Sequence, residues 1–108
     1  MVCVDVLVRI KRLVFRGRVR YTDKAIDEMA ADDLEPADVE ESILNARRIE
    51  KTLRSRRVPA RSSEGKLYVI KSFSYAGTPI YTKGKIDREA DEEFFYILIS
   101  AKITKSGI

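Results

Sequence analysis

Cationic side chains are concentrated in one segment of the sequence, residues 47–71 (RRIEKTLRSRRVPARSSEGKLYVIK). This segment holds nine Lys or Arg residues and only two acids, Glu50 and Glu64, in a chain without histidine. Residues 23–41 show the reverse, with nine carboxylates and the single cation Lys24. Because a field of this kind concentrates a polyanion on one side of a molecule, the pattern predicts an anion-binding surface there. It leaves the acidic side to a basic or polar partner.

Lysine and tyrosine recur toward the end of the chain with the period of a β-strand. The alternation puts Tyr81, Lys83 and Lys85 on one side of a strand, and it puts Tyr96, Ser100 and Lys102 on one side of the last strand. Ammonium groups bind backbone phosphates, and phenol rings stack on unpaired bases. These residues are therefore candidate RNA contacts, although Lys and Tyr are also common on a sheet face that only contacts water.

Lys51 is a candidate for chemistry because it shares a strand face with Ile49 and Leu53. A lysine among apolar neighbours loses solvation, which lowers its pKa and makes it a useful proton acceptor near neutrality. The alternative is that its stem packs while its ammonium group reaches water.

The composition excludes several kinds of site. Without histidine there is no imidazole acid, base or metal ligand, and Cys3 is the single cysteine, so neither a disulfide nor a cysteine zinc site can form within the chain. A carboxylate site for a hard divalent ion stays conceivable, although runs of acids are ordinarily a solvated surface. Its candidate ligands are Asp32, Asp33, Asp87, Asp91 and Glu92.

The length and the net charge indicate the number of domains and the kinds of partner. A chain of 108 residues predicts a single domain over residues 1–108, and a net charge of +4 fits nucleic acid or an acidic partner. The apolar run MVCVDVLVRI is interrupted by Asp5 and Arg9, so it predicts neither a leader peptide nor a membrane span. We expect a cytoplasmic protein that does not contact a membrane and needs no cofactor.

Capping signals predict three helices in the first half. Residues 3–16 fit a strand or a helix, and Gly17 after the last apolar residue favours the helix. Thr22 as an N-cap predicts a second helix over about residues 23–31. Pro36 at a first helical position, with Leu34 placed to contact Val39, predicts a third that ends near residue 45 or 46.

Beyond residue 46 the alternation of side chains has a period of two, which predicts strands. We expect strands around residues 49–53, 66–75 and 80–86, a turn at 76–79, a charged loop at 87–93 and a last strand at about 94–104. In the last strand Phe95, Ile97, Ile99, Ala101 and Ile103 would line one face. The order of elements predicts an α+β fold, with N-terminal helices packed on one face of a meandering antiparallel sheet and the other face open.

Most of the chain resembles a known family. The run IKRLVFRGRVRYTDKAIDEMAADDLEPADVEESILNARRIEKT, followed by KLYVIKSFSYAGTPIYTKGKI and YILISAK, is similar to toxins of the motility quorum-sensing regulator type and to their RelE-like relatives. The resemblance implies a metal-independent endoribonuclease, an mRNA interferase, that is paired with an antitoxin. In this branch the antitoxin commonly carries a CxxC zinc-finger domain.

The resemblance also implies roles for individual residues. The catalytic lysine of the family falls on Lys51, a tyrosine on Tyr68 and a C-terminal lysine on Lys102, whereas the family glutamine has no counterpart because its place falls within residues 55–57. Metal-free cleavage needs a proton acceptor for the 2′-hydroxyl, cations for the phosphorane and an acid for the leaving oxygen. The expected phosphate contacts are Arg56, Arg57, Arg61 and Lys83.

Overall fold

Three helices and five strands make up the part of the chain that the computed structural model describes, residues 5–55, 65–88 and 94–104. They are α1 (Val6–Phe15), β1 (Val19–Tyr21), α2 (Asp23–Ala31), α3 (Pro36–Asn45), β2 (Lys51–Arg54), β3 (Lys66–Phe73), β4 (Pro79–Arg88) and β5 (Phe94–Ile103). The predicted α+β class is therefore confirmed. No helix within the described ranges is long and apolar enough to cross a membrane.

Local signals set the ends of α1. The Asp5 carboxylate accepts a hydrogen bond from the Leu7 N–H (3.0 Å), which begins the helix. After the helix, Gly17 takes a φ of 77°, and the next N–H, that of Arg18, bonds the Leu13 carbonyl (2.8 Å). This left-handed glycine ending confirms the helical interpretation of the ambiguous first segment.

The other two helices begin where the sequence predicts. Thr22 Oγ1 accepts from the Ala25 N–H (3.1 Å) at the start of α2, and Pro36 opens α3. At α3 the Glu35 N–H donates to the Asp38 carboxylate (2.9 Å), a reciprocal cap that sequence analysis did not identify. Leu34 is buried just before this helix.

The sheet has the order β1-β5-β4-β3-β2. Strands β2 to β5 form the predicted antiparallel meander, but β1 pairs with β5 in parallel, with Val19 opposite Tyr96. The sheet is therefore mixed, which corrects the prediction of a wholly antiparallel one. Strands so distant in the chain need no hairpin, so their direction is not constrained by a turn.

A β-bulge interrupts the pairing of β4 with β5. Lys83 pairs with Ser100 and Gly84 pairs with Leu98, so Ile99 is an extra residue in β5. An extra residue reverses the faces of the side chains that follow it. The predicted five-residue apolar face is therefore wrong beyond Ile97, because Ala101 and Ile103 lie on the side of Tyr96 and Leu98.

The hydrophobic core lies between the helices and one face of the sheet, which we call the inner face. Its buried members include Ile10, Val14, Ala25, Met29, Val39 and Ile43 from the helices, and Ile70, Ile80, Tyr96, Leu98 and Ala101 from the sheet. The opposite side, or outer face, carries the residues that alternate with these. The helices therefore leave the outer face for a different role.

Acidic residues of α2 and of its C-cap bond to the edge of β5 beyond the end of β1. Glu28 Oε1 accepts from Ser100 Oγ (2.5 Å) and from the Ala101 N–H (3.1 Å), and Asp32 Oδ2 accepts from the Ile103 N–H (2.8 Å). These carboxylates take the place of a neighbouring strand. They satisfy donors that an open sheet edge would otherwise present to other chains.

Candidate nucleic-acid interface

A row of three polar residues crosses the outer face near its middle. Register places Lys71, Tyr81 and Lys102 opposite one another on β3, β4 and β5. The Lys102 ammonium lies 5.4 Å from the centre of the Tyr81 ring, within the range of a cation–π interaction. This contact holds a phenol and an amine side by side on a surface that the helices do not cover.

A second row runs alongside the first. Lys51 pairs with Val69, Val69 with Lys83, and Lys83 with Ser100. Lys51 is exposed and Lys83 partly exposed, while Val69 between them is fully buried. The row crosses four strands, or about 14 Å, which is enough to contact more than one phosphate of a nucleic-acid strand.

The lysines of these two rows are not paired with the nearby acid Glu28, which accepts a hydrogen bond from Ser100. Within the described residues, neither Lys51, Lys71, Lys83 nor Lys102 forms an ion pair. By contrast, the Lys85 ammonium lies 3.4 Å from the Asp87 carboxylate, so Lys85 is a weaker candidate contact. The two rows therefore present amines that can exchange water for phosphate at little cost.

The Tyr81 phenol stays protonated at neutral pH. Burial raises its pKa above the usual 10.0, and the charge of Glu28 raises it further. A phenol in this state donates a hydrogen bond, and it can also give a proton to a strongly basic oxygen.

The three residues expected to act in catalysis are not brought together. Lys51 and Lys102 lie on the outer face, whereas Tyr68 lies on the inner face and packs against the core. Tyr68 and Val69 are adjacent in β3, so their side chains lie on opposite faces of the sheet. Val69 pairs with Lys51 on the outer face, whereas Tyr68 pairs with Thr52 on the inner face. The expectation that these three residues act together at one site is therefore wrong.

The exposure of Tyr96 and of Lys51 to solvent also differs from what the sequence predicts. Tyr96 is fully buried on the inner face, so it cannot stack on a base, and the bulge at Ile99 explains why it does not share a side with Lys102. Lys51 is exposed and Leu53 on its face is 37% exposed. Lys51 is therefore not desolvated in the way proposed for a proton acceptor, although the apolar Val69 pairs with it.

Other predicted residues fall outside the described ranges or have structural contacts. Arg56, Arg57, Arg61, Asp91 and Glu92 lie outside these ranges. Of the candidate metal ligands, Asp32 bonds to β5 and Asp87 pairs with Lys85. Within the ranges that are described, no group of three or more Asp, Glu, Cys or His side chains could hold a metal ion.

Sequence analysis missed a role for Lys71. Lys71 lies within the cationic segment of residues 47–71, but no alternation of lysine and tyrosine marks it in the sequence of β3. Counting in twos from Val69, which is apolar and buried, gives Lys71 the face of Tyr81.

Comparisons of the chain with known protein families, with curated proteins and with solved structures find no match.

Proposed function

We propose that this protein binds single-stranded RNA on the outer face of its sheet and cleaves it as a metal-independent endoribonuclease, the toxin of a RelE-like toxin–antitoxin pair. The main support is the row of Lys71, Tyr81 and Lys102, in which a protonated phenol lies between two amines that have no ion-pair partner in the described residues. The toxin class itself rests on the resemblance of the sequence.

The chemistry assigns Tyr81 the role first given to Tyr68. The 2′-oxygen of a ribose attacks the adjacent phosphorus, its proton passes to solvent water, and the bond from phosphorus to the 5′-oxygen breaks. Tyr81 donates a proton to that leaving oxygen, while Lys83 and Lys102 stabilise charge on the phosphorane. Lys51 and Lys71 contact neighbouring phosphates and align the strand.

Cleavage of a long unstructured RNA in the presence of a chelator tests the chemistry. Tyr81→Phe and Lys102→Gln should each slow cleavage by about 10²- to 10³-fold, the size expected for one charge-stabilising group. Tyr68→Phe should cleave at the wild-type rate. If Tyr68→Phe loses activity while Tyr81→Phe keeps it, the assignment to the outer face is wrong.

Salt dependence of binding tests the interface separately. For a single strand, the logarithm of the binding constant falls with the logarithm of the salt concentration, with a slope of about −0.7 for each phosphate neutralised. Lys83→Gln and Lys102→Gln should therefore each make this slope less negative by about 0.7. The matched control is Lys24→Gln, an exposed lysine of α2, which should leave the slope unchanged. Equal slopes for all three variants would place the RNA elsewhere.

A binding domain without cleavage is the alternative, and the separation of Tyr68 from Lys51 and Lys102 favours it. It predicts the same salt dependence but no RNA fragments, and no growth arrest when the protein is induced. The proposed antitoxin partner, with a CxxC zinc-finger domain, is tested by co-purification from cells that express both genes. Co-expression of the two genes in the cytoplasm should also relieve the growth arrest.

A further inference from the structure

An exposed phenylalanine lies on the outer face beside the row of Lys71, Tyr81 and Lys102. Phe73 is the last residue of β3, and it is 45% exposed. The pairing of β3 with β4 is regular from Lys71 to Phe73, so the alternation of a strand puts both side chains on the same face. Two residues of a strand span about 7 Å. An aromatic surface therefore adjoins the amines that are proposed to bind phosphate.

The ring of Phe73 is open, whereas another phenylalanine of the outer face is covered. Phe95 is only 8% exposed, and the guanidinium carbon of Arg20 lies 3.9 Å from the centre of its ring. In the described part of the chain, the Phe73 ring contacts neither a cation nor another ring. Phe73 is therefore able to stack on a group from outside the protein.

Side chains of α3 hold the backbone that carries this ring. Asn45 Nδ2 donates to the Phe73 carbonyl (2.9 Å), and the Glu41 carboxylate accepts from the Tyr75 N–H (3.0 Å). The register of β2 with β3 ends at Val69, so these two side chains bond the edge of β3 where β2 does not. A ring on a fixed backbone loses less conformational entropy when a ligand binds to it.

A row of amines beside an open aromatic ring is suited to an unpaired nucleotide. Amines bind the phosphates of a single strand, and a ring stacks on a base of any sequence because every base has a π-face. The bases of a duplex are not accessible in this way, since they are paired and stacked on one another. Preferences at such a site come from the strength of stacking, which favours the larger ring system of a purine.

We propose that Phe73 stacks on an unpaired base of the RNA, in the nucleotide next to the phosphate bound by the row of Lys71, Tyr81 and Lys102, and that it favours a purine there. The assignment rests on the proposed function, because the RNA must lie on the outer face. Phosphate contacts fix the position of a strand, whereas contacts to a base distinguish sequences. Phe73 therefore gives the surface a position at which the base itself affects binding.

The affinity of the full chain for a short unstructured RNA tests the stacking contact. The 2′-hydroxyls of this RNA are methylated so that it cannot be cut. Phe73→Ala should weaken binding by about fivefold or more, the size expected for loss of one stacking ring. Its salt dependence should equal that of the wild type, because no charge is removed.

Phe15→Ala is the matched control. Phe15 is a residue of α1 that is 81% exposed, and α1 lies on the other side of the sheet from the proposed RNA surface. This variant removes an equally large exposed ring and should bind the RNA like the wild type. Equal affinities for Phe73→Ala and Phe15→Ala would overturn the proposal.

A tryptophan at position 73 reports on stacking directly, because the chain contains no tryptophan of its own. Phe73→Trp keeps an aromatic face, so it should bind the RNA at least as tightly as the wild type. Its fluorescence should fall on binding, since a stacked base quenches indole emission, whereas that of Phe15→Trp should not change. Tight binding by Phe73→Trp without quenching would also overturn the proposal.

The purine preference is measured with an oligouridylate in which one uracil is replaced by adenine. The replacement should tighten binding to the wild type, and Phe73→Ala should abolish this gain. A gain that persists in Phe73→Ala would assign the preference to another residue and refute this part of the proposal.

Failure of the stacking contact and failure of the proposed function give different results. If Lys83→Gln and Lys102→Gln change the salt dependence but Phe73→Ala does not change the affinity, the outer face binds RNA without Phe73. If the wild type binds no RNA, the proposed function and the stacking contact are both wrong. If Phe73→Ala abolishes co-purification with the antitoxin and leaves the RNA affinity unchanged, the ring contacts a protein instead.

Discussion

Replacement of Glu28 by alanine should destabilise the protein through the edge of its sheet. Glu28 is a residue of α2 whose single Oε1 atom accepts from Ser100 Oγ (2.5 Å) and from the Ala101 N–H (3.1 Å). Alanine leaves both donors without this acceptor, at a point where β1 has ended and no strand replaces it. The loss therefore falls on β5, which is central to the fold because it pairs with both β1 and β4.

The size of the effect follows from the two hydrogen bonds. A bond to a charged group contributes about 1.5–3 kcal/mol, and water can partly replace an acceptor that is only partly buried. Alanine also has a slightly higher helix propensity than glutamate, worth a few tenths of a kcal/mol. We expect Glu28→Ala to lower the free energy of unfolding by about 2 kcal/mol, which for a chain of this length corresponds to a fall in Tm of roughly 9 °C.

Urea unfolding followed by circular dichroism measures this change. Asp27→Ala is the matched control, because Asp27 is an exposed neighbour on the same helix. It should change the free energy of unfolding by less than about 0.5 kcal/mol. If Glu28→Ala and Asp27→Ala have the same effect, the carboxylate does not stabilise the sheet edge.

Glu28→Gln separates the hydrogen bonds from the charge. The amide oxygen can still accept from β5, so this variant should lose less stability than Glu28→Ala. Because Glu28 also raises the pKa of Tyr81, removal of the charge should lower that pKa in an absorbance titration. The value should stay above 10.0, since burial is the larger cause.

Three further predictions concern tyrosines and a glycine. Gly84→Ala should cost about 1–3 kcal/mol in urea unfolding, because its Cβ would lie 2.6 Å from Tyr96 Cζ and 2.9 Å from the Ile97 carbonyl. Tyr96→Phe should not destabilise the protein, because the buried hydroxyl has no hydrogen-bond partner in the described residues. Burial and the hydrogen bond to Glu40 raise the pKa of Tyr21 above its unfolded value of 10.0. The stability that the protonated Tyr21 contributes is therefore complete below pH 10 and is lost as the pH rises above 10. Tyr21→Phe should therefore lose less stability than the wild type between about pH 8 and about pH 11.

The helices could be predicted because their signals are local. Gly17, Thr22 and Pro36 each act within a few residues of their own position, so the chain around them contains the whole explanation. The partner of β1 could not be predicted in the same way. Val19 and Tyr96 are distant in the sequence, and no turn chemistry between them specifies a parallel pair.

The candidate site was predictable only where the period of two is unbroken. In β4 the alternation correctly put Tyr81, Lys83 and Lys85 on one face. In β5 the extra residue Ile99 reversed the faces, and the strand shows no glycine or proline that would signal a bulge. Gly84 on the partner strand is the nearest signal, since Tyr96 lies against it where a Cβ would clash.

The same bulge accounts for the arrangement of charge on the outer face. If Ile99 took part in the regular alternation instead of bulging, the period of two would put Lys102 on the side of Tyr96 and Leu98, which is the buried inner face. The bulge instead turns Lys102 toward Tyr81 and brings Ala101 into the core, where it is fully buried. Packing and the proposed RNA surface therefore both depend on Ile99 being left out of the alternation. A variant that deletes Ile99 keeps Lys83 opposite Ser100 and Tyr81 opposite Lys102, so it should keep its RNA affinity.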